Sequence, residues 1–333
     1  MIIVTGGAGF IGSNLVHELN RAGHSDILVV DNLSNKRTPA MEQIGSRPEL
    51  KFLNLEGARF ADYMDKREFR AAVAAGHLAN TKVRAILHQG ACSNTLEDDG
   101  SYMMDNNFTY SKELLDFALE RKIPFVYAST AAIYGASQNF GTVAENEHPL
   151  NVYGWSKLVL DNYVRGLLQQ VNSTVVGLRY FNVYGRREQH KGRMASVVHH
   201  FTRQLKETGV IKMFEGSGGY GPGEQRRDFV YVRDLCRMNM FFAGLMPGTE
   251  PVTYKGVVNA GTGAASTFNS VAEALIQVHG AGKVEYIPFP ADLAGRYQHF
   301  TQADISGLRE LGYPAPFTEL PNAIREMDQG GDN

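Results

Sequence analysis

The sequence has little of what secreted, membrane-spanning or metal-binding proteins need. Its two cysteines, Cys92 and Cys236, form no C-x-x-C motif, which is typical of reduced thiols in a cytoplasm. No apolar run approaches the ~20 residues that span a bilayer. Met1 leads directly into IIVTGGAGFIG without the features of a signal peptide, so we expect a cytoplasmic protein.

Charge and histidine spacing argue against further classes of partner. The net charge of −2 gives no reason to expect nucleic acid or a membrane surface as a partner. The ten histidines include no H-E-x-x-H or similar spacing. The adjacent His199 and His200 would point about 100° apart on a helix, which is poor geometry for chelation. The sequence therefore predicts no metal site.

The order of apolar segments predicts the fold class. The 333 residues, 43% of them hydrophobic, are enough for one or two domains with sizeable cores. Short apolar runs alternate with helical segments and lack polar alternation, as strands do when helices cover both faces of their sheet. The predicted strands are MIIVTG, DILVVDN, KFLNL, VRAILHQGA, IPFVYAST and STVVGLRYFNVYG. We therefore expect a Rossmann-type, doubly wound α/β protein with ligands at the carboxyl ends of a parallel sheet.

The pattern loosens after about residue 185 and predicts a second, smaller α/β region. Residues 1–185 are expected to form the Rossmann domain, to which a segment near 226–262, containing VVNAGTG, returns a strand. Residues 186–330 are expected to form mainly a substrate-binding domain. The polar stretch 34–48 is expected to be a surface loop.

The glycine-rich segment TGGAGFIG predicts dinucleotide binding. Gly6, Gly9 and Gly12 lie between a predicted strand and a predicted helix, which is the context that such a motif requires. Glycines permit a tight turn, and the helix N-terminus offers N–H groups to a pyrophosphate. Asp31 ends the second strand nineteen residues after Gly12, where a carboxylate can accept protons from ribose hydroxyls.

The choice between NAD and NADP stays open on these residues alone. Asp31 favours NAD, because a carboxylate repels a 2′-phosphate. Asn32, Lys36 and Arg37 follow at once and could neutralise that phosphate, and Lys66 is a further cation that could reach it.

The segment NVYGWSK places Tyr153 and Lys157 one helical turn apart on the same face. By itself such a pair is most often a chance surface feature. Beside a nicotinamide cofactor, however, oxidation of a secondary alcohol needs a base for the hydroxyl proton. A free phenol has a pKa of ~10, and a nearby ammonium and the positive nicotinamide ring would both favour phenolate. Ser129 or Thr130, at the end of the fifth strand, would place a hydroxyl beside the reacting oxygen.

Several motifs together resemble a known family. TGGAGFIG, YAST-AAIYG, NVYGWSK and RYFNVYG are similar to the extended short-chain dehydrogenase/reductase superfamily. Within it, HQGACSNT, YMMDNN-TYSKELL, HKG-MASV, RRDFVYV and YIPFP-L-GRYQ-FTQAD closely resemble the ADP-L-glycero-D-manno-heptose 6-epimerase family, over nearly the whole chain. The resemblance implies an NADP-binding domain in 1–185 and inversion of C6″ of ADP-heptose through a ketone, in lipopolysaccharide inner-core precursor synthesis. It also implies a homo-oligomer, since members of the family assemble as pentamers.

The resemblance implies a set of site residues. Tyr153, Lys157 and Thr130 match the catalytic residues, and Lys191 is the distinctive second acid/base group, although a lysine in HKGR is otherwise most often a solvated loop residue. The implied cofactor residues also include Phe10, Ile11, Asn32, Gln89, Gly90, Ala91, Cys92, Ser93, Asn106, Lys157, Val183 and Lys191. The implied substrate residues are Asn182, Arg193, His200, Phe214, Glu215, Gly216, Ser217, Arg227 and Tyr297. Arg227 suits a pyrophosphate in its own right, an ion pair with Asp228 being the alternative.

Some positions depart from the family pattern. Arg193 stands where serine is common, Gln89 where glutamate is frequent, and Trp155 where tyrosine is usual. The loops 34–48 and 218–225 are longer than expected, and the first of them borders the predicted adenosine ribose.

Three rival functions share parts of this sequence pattern. A 4-epimerase on the same scaffold would not need Lys191. A 4,6-dehydratase usually has Asp-Glu after the strand-five threonine, where this chain has Ala131 and Ala132. A non-catalytic NADP-sensing module would lose the tyrosine or the lysine of the Y-x-x-x-K motif, and both are present.

Overall fold

The main sheet has the predicted doubly wound architecture. The computed structural model describes residues 1–34, 50–290 and 297–329. In these ranges seven strands, each parallel to its neighbours, form one sheet. The strands of the chain are β1 (Ile2–Thr5), β2 (Ile27–Asp31), β3 (Asp62–Asp65), β4 (Ala85–His88), β5 (Phe125–Thr130), β6 (Val175–Tyr180), β7 (Asn182–Tyr184), β8 (Val210–Phe214), β9 (Arg226–Tyr231), β10 (Lys255–Ala260), β11 (Ala265–Thr267) and β12 (Lys283–Ile287). The order β10-β6-β5-β4-β1-β2-β3 reverses between β4 and β1, which places a ligand-binding crevice at that point.

Helices cover both faces of this sheet. They are α1 (Phe10–Arg21), α2 (Lys66–Ala74), α3 (Gly100–Met104), α4 (Tyr110–Glu120), α5 (Val152–Leu167), α6 (Val197–Thr208), α7 (Val232–Phe242), α8 (Phe268–His279), α9 (Ser306–Glu310) and α10 (Leu320–Gln329). Within β1, Ile2 and Val4 pack into the core with α1 and α7, whereas Ile3 packs into the core with α4 and α5. Because both faces are buried, the strands read as continuous apolar runs. A π-helical turn, Asp105–Thr109, joins α3 to α4.

One predicted strand was wrong. KFLNL forms a short 3₁₀ helix, Lys51–Leu55, and the third strand is instead β3, with the sequence DYMD. Since β3 lies at the edge of the sheet, its side chains are partly exposed, and it lacks the apolar run that marks a buried strand. The 3₁₀ helix is held over the glycine loop by Asn54, whose Nδ2 donates to the Ala8 carbonyl at 2.9 Å.

The second region combines two small sheets with helices. Among the described residues, β11, β9 and β7 form a three-stranded sheet and β12 pairs with β8. β10, which lies in the segment expected to return to the main sheet, pairs with β6 at the edge of that sheet. The division into a cofactor domain up to 185 and a substrate domain after it stays a prediction. No helix within the described ranges is long and apolar enough to cross a membrane.

Candidate active site

A cavity of about 1010 Å³ opens at the carboxyl ends of β1, β4, β5 and β6. Its walls come from the main sheet on one side and from the 186–329 region on the other. The predicted residues that line it are Gly6, Gly9, Phe10, Ile11, Gly12, Asp31, Asn32, Lys66, Gln89, Gly90, Ala91, Cys92, Ser93, Asn106, Thr130, Tyr153, Lys157, Asn182, Val183, Lys191, Arg193, His200, Phe214, Arg227 and Tyr297. The fold thus brings together in one space most of the residues selected from the sequence.

Three predicted substrate residues do not line this cavity: Glu215, Gly216 and Ser217. They lie in the turn after β8, and the Glu215 N–H donates to the Ile287 carbonyl at 2.8 Å. Ser217 Oγ accepts a hydrogen bond of 3.2 Å from Nε2 of Gln225, which does line the cavity. The turn therefore contacts Gln225, a residue of the cavity wall, and does not line the cavity itself.

The glycine loop has the shape of a phosphate cradle. Gly6 has φ +63°, a left-handed conformation that favours glycine. A Cβ on Gly12 would lie 2.1 Å from the Gly6 carbonyl oxygen, so only glycine fits there. The N-cap of α1 is Gly9, so no side chain caps the first N–H groups of the helix. Gly9, Phe10 and Ile11 all line the cavity. The N–H groups at this helix terminus are therefore suited to bind a pyrophosphate.

Asp31 lies at the end of β2 in the middle of a small polar cluster. Its Oδ2 accepts from the Ala8 N–H at 3.0 Å and its Oδ1 from the Leu33 N–H at 2.9 Å. Lys51 Nζ lies 2.8 Å from the same Oδ1. Lys51 lines the cavity but was not selected from the sequence, because its segment was taken for a strand. The predicted cations Lys36 and Arg37 lie outside the described residues.

Lys66 also lines the cavity, but its partners differ from those of Lys51. Its Nζ donates to Asn106 Oδ1 at 2.5 Å and sits 4.6 Å from the centre of the Tyr110 ring. Burial, and then the neighbouring Arg70, lower the pKa of Lys66. Among the described residues, the cation that contacts Asp31 is Lys51.

Tyr153 and Lys157 leave the first turns of α5, as their spacing predicts. Asn151 caps this helix by accepting a 2.8 Å hydrogen bond from the Gly154 N–H. Lys157 is 2% exposed and its Nζ donates to the Ala128 carbonyl at 2.9 Å. Thr130 Oγ1 accepts from the Ala132 N–H at 3.1 Å, which leaves the hydroxyl proton for its hydrogen bond to Tyr153.

Of the two candidate hydroxyls at the end of β5, Thr130 is the one beside Tyr153. Ser129 also lines the cavity, but its Oγ donates to Asp161 Oδ2 at 2.9 Å, between α5 and the sheet. Successive residues of a strand point to opposite faces, which separates the two hydroxyls.

Burial dominates the protonation of this pair. It raises the pKa of Tyr153, although the hydrogen bond from Thr130 opposes the rise. It also lowers the pKa of Lys157 to about 8, against the opposing effect of Asp161. Within the chain, the hydrogen bond from Thr130 is a contact that lowers the Tyr153 pKa.

Lys191 is carried by a short 3₁₀ segment, Gln189–Met194, in which Gly192 has φ +54° and ψ −124°. Its Nζ lies 5.2 Å from the centre of the Phe10 ring, directly after the glycine loop. Burial lowers the pKa of Lys191, and the carboxylate of Glu188 opposes this. The alternative of a solvated loop lysine therefore does not fit the structure.

Arg227 is a buried cation on the substrate side of the cavity. It is 7% exposed, and its guanidinium lies 4.9 Å from the Tyr297 ring and 5.8 Å from the Phe268 ring. Burial lowers its pKa. The alternative ion pair with Asp228 is wrong, because that carboxylate accepts N–H groups from elsewhere. An anion entering this part of the cavity meets the Arg227 guanidinium.

Several lining residues were missed by sequence reasoning. Lysines and histidines of loops carry no local signal that separates a cavity wall from a solvated surface, and buried aromatic residues read as core. Among the residues missed are Lys51, Tyr180, His190, Gln204, Lys212, Gln225 and Phe268. In the described parts of the chain, no three His, Cys, Asp or Glu side chains group as a metal site would require.

Comparison with known proteins gives the family. The chain belongs to the NAD dependent epimerase/dehydratase family, whose model matches residues 2–253. It is 52% identical to the ADP-L-glycero-D-manno-heptose-6-epimerase of Alkalilimnicola ehrlichii over 325 residues, which are 98% of this chain and 95% of the relative.

Solved structures agree with this assignment. The chain resembles the crystal structure of the Helicobacter pylori ADP-L-glycero-D-manno-heptose-6-epimerase with a TM-score of 0.77 and 31% identity, covering 98% of this chain and 94% of the other. It also resembles the UDP-glucose 4-epimerase of Thermotoga maritima, with a TM-score of 0.74 and 27% identity over 98% and 96% of the two chains. The fold is therefore shared with nucleotide-sugar epimerases, and a nicotinamide cofactor belongs to the family.

Proposed function

We propose that this chain interconverts ADP-D-glycero-D-manno-heptose and its L-glycero epimer at C6″, as a step in lipopolysaccharide inner-core precursor synthesis. The observation that carries the proposal is that Tyr153, on α5, and Lys191, on the 189–194 segment, line the same cavity as the glycine loop. An epimerase without net redox change removes a hydride from one face of the carbon and returns it to the other. The intermediate ketone therefore presents its oxygen to two places, and two proton-transfer groups on different elements suit that requirement.

The roles proposed for the chain's residues follow from their positions. The glycine loop and its neighbours would hold a nicotinamide cofactor, which would supply the hydride acceptor and donor for C6″. Tyr153 exchanges a proton with the sugar oxygen in one orientation and Lys191 in the other. Thr130 hydrogen-bonds to Tyr153, and Lys157 supplies a positive charge on the same face of α5. Because burial raises the Tyr153 pKa, the positive nicotinamide is the group that favours its phenolate.

Arg227 is proposed to hold the ADP moiety. Its guanidinium is fixed between the Tyr297 and Phe268 rings and is suited to bidentate contact with a pyrophosphate. Arg193, His200 and Phe214 line the same end of the cavity. The 52% identity with the Alkalilimnicola ehrlichii protein supports ADP-heptose as the substrate.

NADP, rather than NAD, is proposed as the cofactor. Asp31 alone would disfavour a 2′-phosphate, but Lys51 lies 2.8 Å from its carboxylate and compensates that charge. Asn32 lines the cavity beside it. The family resemblance further supports a cytoplasmic homo-oligomer.

The direct test is turnover of each epimer, followed by NMR on the purified protein. We expect the C6″ signals of either ADP-heptose epimer to relax to the same mixture. If both epimers stay unchanged while a UDP-hexose is epimerised at C4, the 4-epimerase alternative takes the place of this proposal.

A further inference from the structure

A chain of buried charges lies behind Lys157, outside the cavity. Asp161 follows Lys157 by one helical turn on the same face of α5 and is 0% exposed. Its carboxylate accepts four hydrogen bonds: Tyr127 OH at 3.0 Å, Ser129 Oγ at 2.9 Å, and Nε and Nη2 of Arg179, both at 3.0 Å. The carboxylate is thus joined to β5 and to β6.

Arg179 continues the chain away from the cavity. It is 0% exposed, and its Nη2 also donates to Glu147, which in turn accepts from Arg165 Nη1 at 2.8 Å. Its guanidinium carbon lies 5.1 Å from the centre of the Tyr134 ring. Two arginines and two carboxylates balance one another here, so the network carries no net charge.

Stability alone gives little reason for such a network. Buried ion pairs often contribute no more than well-packed apolar residues would, since burying each charge is costly. Apart from Glu147, which precedes α5, the members of this network lie on α5, β5 and β6, and the first two elements carry Tyr153, Lys157 and Thr130. Ser129 brings the network to the wall of the cavity, and Asp161 lies one helical turn from Lys157 on α5.

We propose that Asp161 is a positioning residue for Lys157: its carboxylate keeps the buried Lys157 side chain as an ammonium, and its bonds to Tyr127, Ser129 and Arg179 fix α5 against β5 and β6. This inference rests on the proposed function, because it assigns Lys157 its charged form in the Tyr153 acid/base step. The network thereby maintains the positive charge of Lys157, which lies on the same face of α5 as Tyr153.

The other titratable groups around Lys157 cannot replace Asp161. Burial lowers the pKa of His88, on β4, well below its usual value, so that its imidazole is neutral. Burial raises the pKa of Cys92, in the loop after β4, and that of Tyr153, so both are uncharged near neutrality. Arg179, on β6, is a cation. Among the described residues packed around Lys157, Asp161 is therefore the anion that offsets its burial.

The pH dependence of turnover follows from this arrangement. Burial lowers the pKa of Lys157 to about 8 even with Asp161 in place. The active form has a protonated Lys157, so activity falls as pH rises through that pKa. Without the carboxylate the pKa of Lys157 falls further, and the alkaline limb of the profile moves to lower pH.

The experiment compares kcat against pH for NADP-loaded wild type, Asp161→Asn and Tyr127→Phe. We expect the alkaline limb of Asp161→Asn to move down by about one pH unit or more, the effect of removing a close opposite charge. Tyr127→Phe removes one 3.0 Å hydrogen bond to Asp161 but keeps the carboxylate, so its limb should stay in place. A purely structural role for Asp161 would lower activity in both variants at every pH without moving the limb.

Asp161→Asn leaves the Arg179 guanidinium without one of its two carboxylates, and this variant can fail to fold. The double variant Asp161→Asn with Arg179→Gln removes both charges and decides the question in that case. The alkaline limb of its pH profile should also move to lower pH, by less than in the Asp161→Asn single variant. If the alkaline limb of the pH profile stays at the wild-type pH in whichever variant folds, the role of Asp161 is overturned. If the wild-type protein epimerises neither ADP-heptose epimer, the proposed function is overturned instead.

Discussion

At the scale of single residues, burial sets the protonation of the groups in the cavity. It raises the pKa of the Tyr153 phenol and lowers the pKa values of Lys157 and Lys191. Each shift favours the uncharged form, in which a phenol can donate a proton and an amine can accept one. The cavity thus holds a phenol that can donate a proton, Tyr153, and an amine that can accept one, Lys191. Each role can be tested by a substitution that removes the hydroxyl or the amine alone.

Tyr153→Phe removes one hydroxyl and retains the packing of the ring. We expect epimerisation to fall by far more than tenfold, because the substrate oxygen loses its proton partner, while the cofactor stays bound. The measurement is the initial rate by NMR together with nucleotide content. Tyr163→Phe makes the same change further along α5, where the hydroxyl donates to Asp116, and should leave the rate unchanged. Activity of Tyr153→Phe within about tenfold of wild type, 1.4 kcal/mol in barrier, would contradict the acid/base role.

Lys191→Met keeps the approximate length of the side chain but removes its amine. We expect interconversion of the epimers to fall by at least about a hundredfold, as for loss of an acid/base group. Single-turnover oxidation should survive better with the one epimer that uses Tyr153. Lys283→Met is the matched control, since Lys283 is exposed on β12 and absent from the cavity. A near-normal rate for Lys191→Met would return this residue to the role of a loop lysine.

At the scale of the elements, sequence patterns predicted what depends on local spacing. The glycine loop between β1 and α1, and the Tyr153–Lys157 pair on α5, need only a strand–helix junction and one helical turn. The edge strand β3 was missed because its partly exposed residues are mostly polar. KFLNL was taken for a strand because its apolar residues give no indication of the hydrogen bond between Asn54 and Ala8.

Contacts between distant segments could not be predicted in this way. Nothing near Arg227 indicates that the Asp228 carboxylate binds the backbone of Thr262, Gly263 and Ala303. Likewise, the choice of Thr130 over Ser129 depends on Asp161, which lies 32 residues after Ser129 and accepts the hydrogen bond of its hydroxyl. Such pairings are set by the packing of whole elements, which a single sequence does not show.

The 189–194 segment owes its shape to one glycine. Gly192 has φ +54° and ψ −124°, a conformation that costs an L-residue about 1–3 kcal/mol. We expect Gly192→Ala to shift the segment, displace Lys191 next to it, and lower kcat at least tenfold while the cofactor content stays at the wild-type level. The measurement is kcat with nucleotide content on the same preparation.

Gly166→Ala is the control for this prediction. Gly166 lies near the end of α5, exposed, with nothing within 4 Å of an added Cβ. Alanine in a helix is more favourable than glycine by about 0.5–1 kcal/mol, so this variant should melt slightly higher and keep its activity. An unchanged kcat in Gly192→Ala would show that the backbone of the segment does not hold Lys191.

At the scale of the whole molecule, the cavity runs from Asp31 at the end of β2, past the glycine loop, to Lys191 and Arg227. A dinucleotide bound in it would face residues of the main sheet and of the 189–194 segment, so its binding would stabilise the folded chain. A ligand that binds the folded state alone stabilises it by about 2.7 kcal/mol at a hundredfold excess over its Kd. Thermal unfolding therefore reports which nucleotide the cavity prefers.

We expect NADP(H) to co-purify with the protein, since an epimerase must retain its reduced cofactor through the ketone stage. Denaturation should release NADP(H) rather than NAD(H). For protein stripped of nucleotide, NADP should raise the Tm by about 5 °C, and NAD by clearly less. Lys51→Ala should abolish the difference between the two, because it removes the cation that compensates Asp31 at 2.8 Å. Lys283→Ala, at an exposed position on β12, should preserve it. Release of NAD alone, or equal Tm shifts in the wild type, would show that the Asp31–Lys51 pair binds a ribose with free hydroxyls and that the cofactor is NAD.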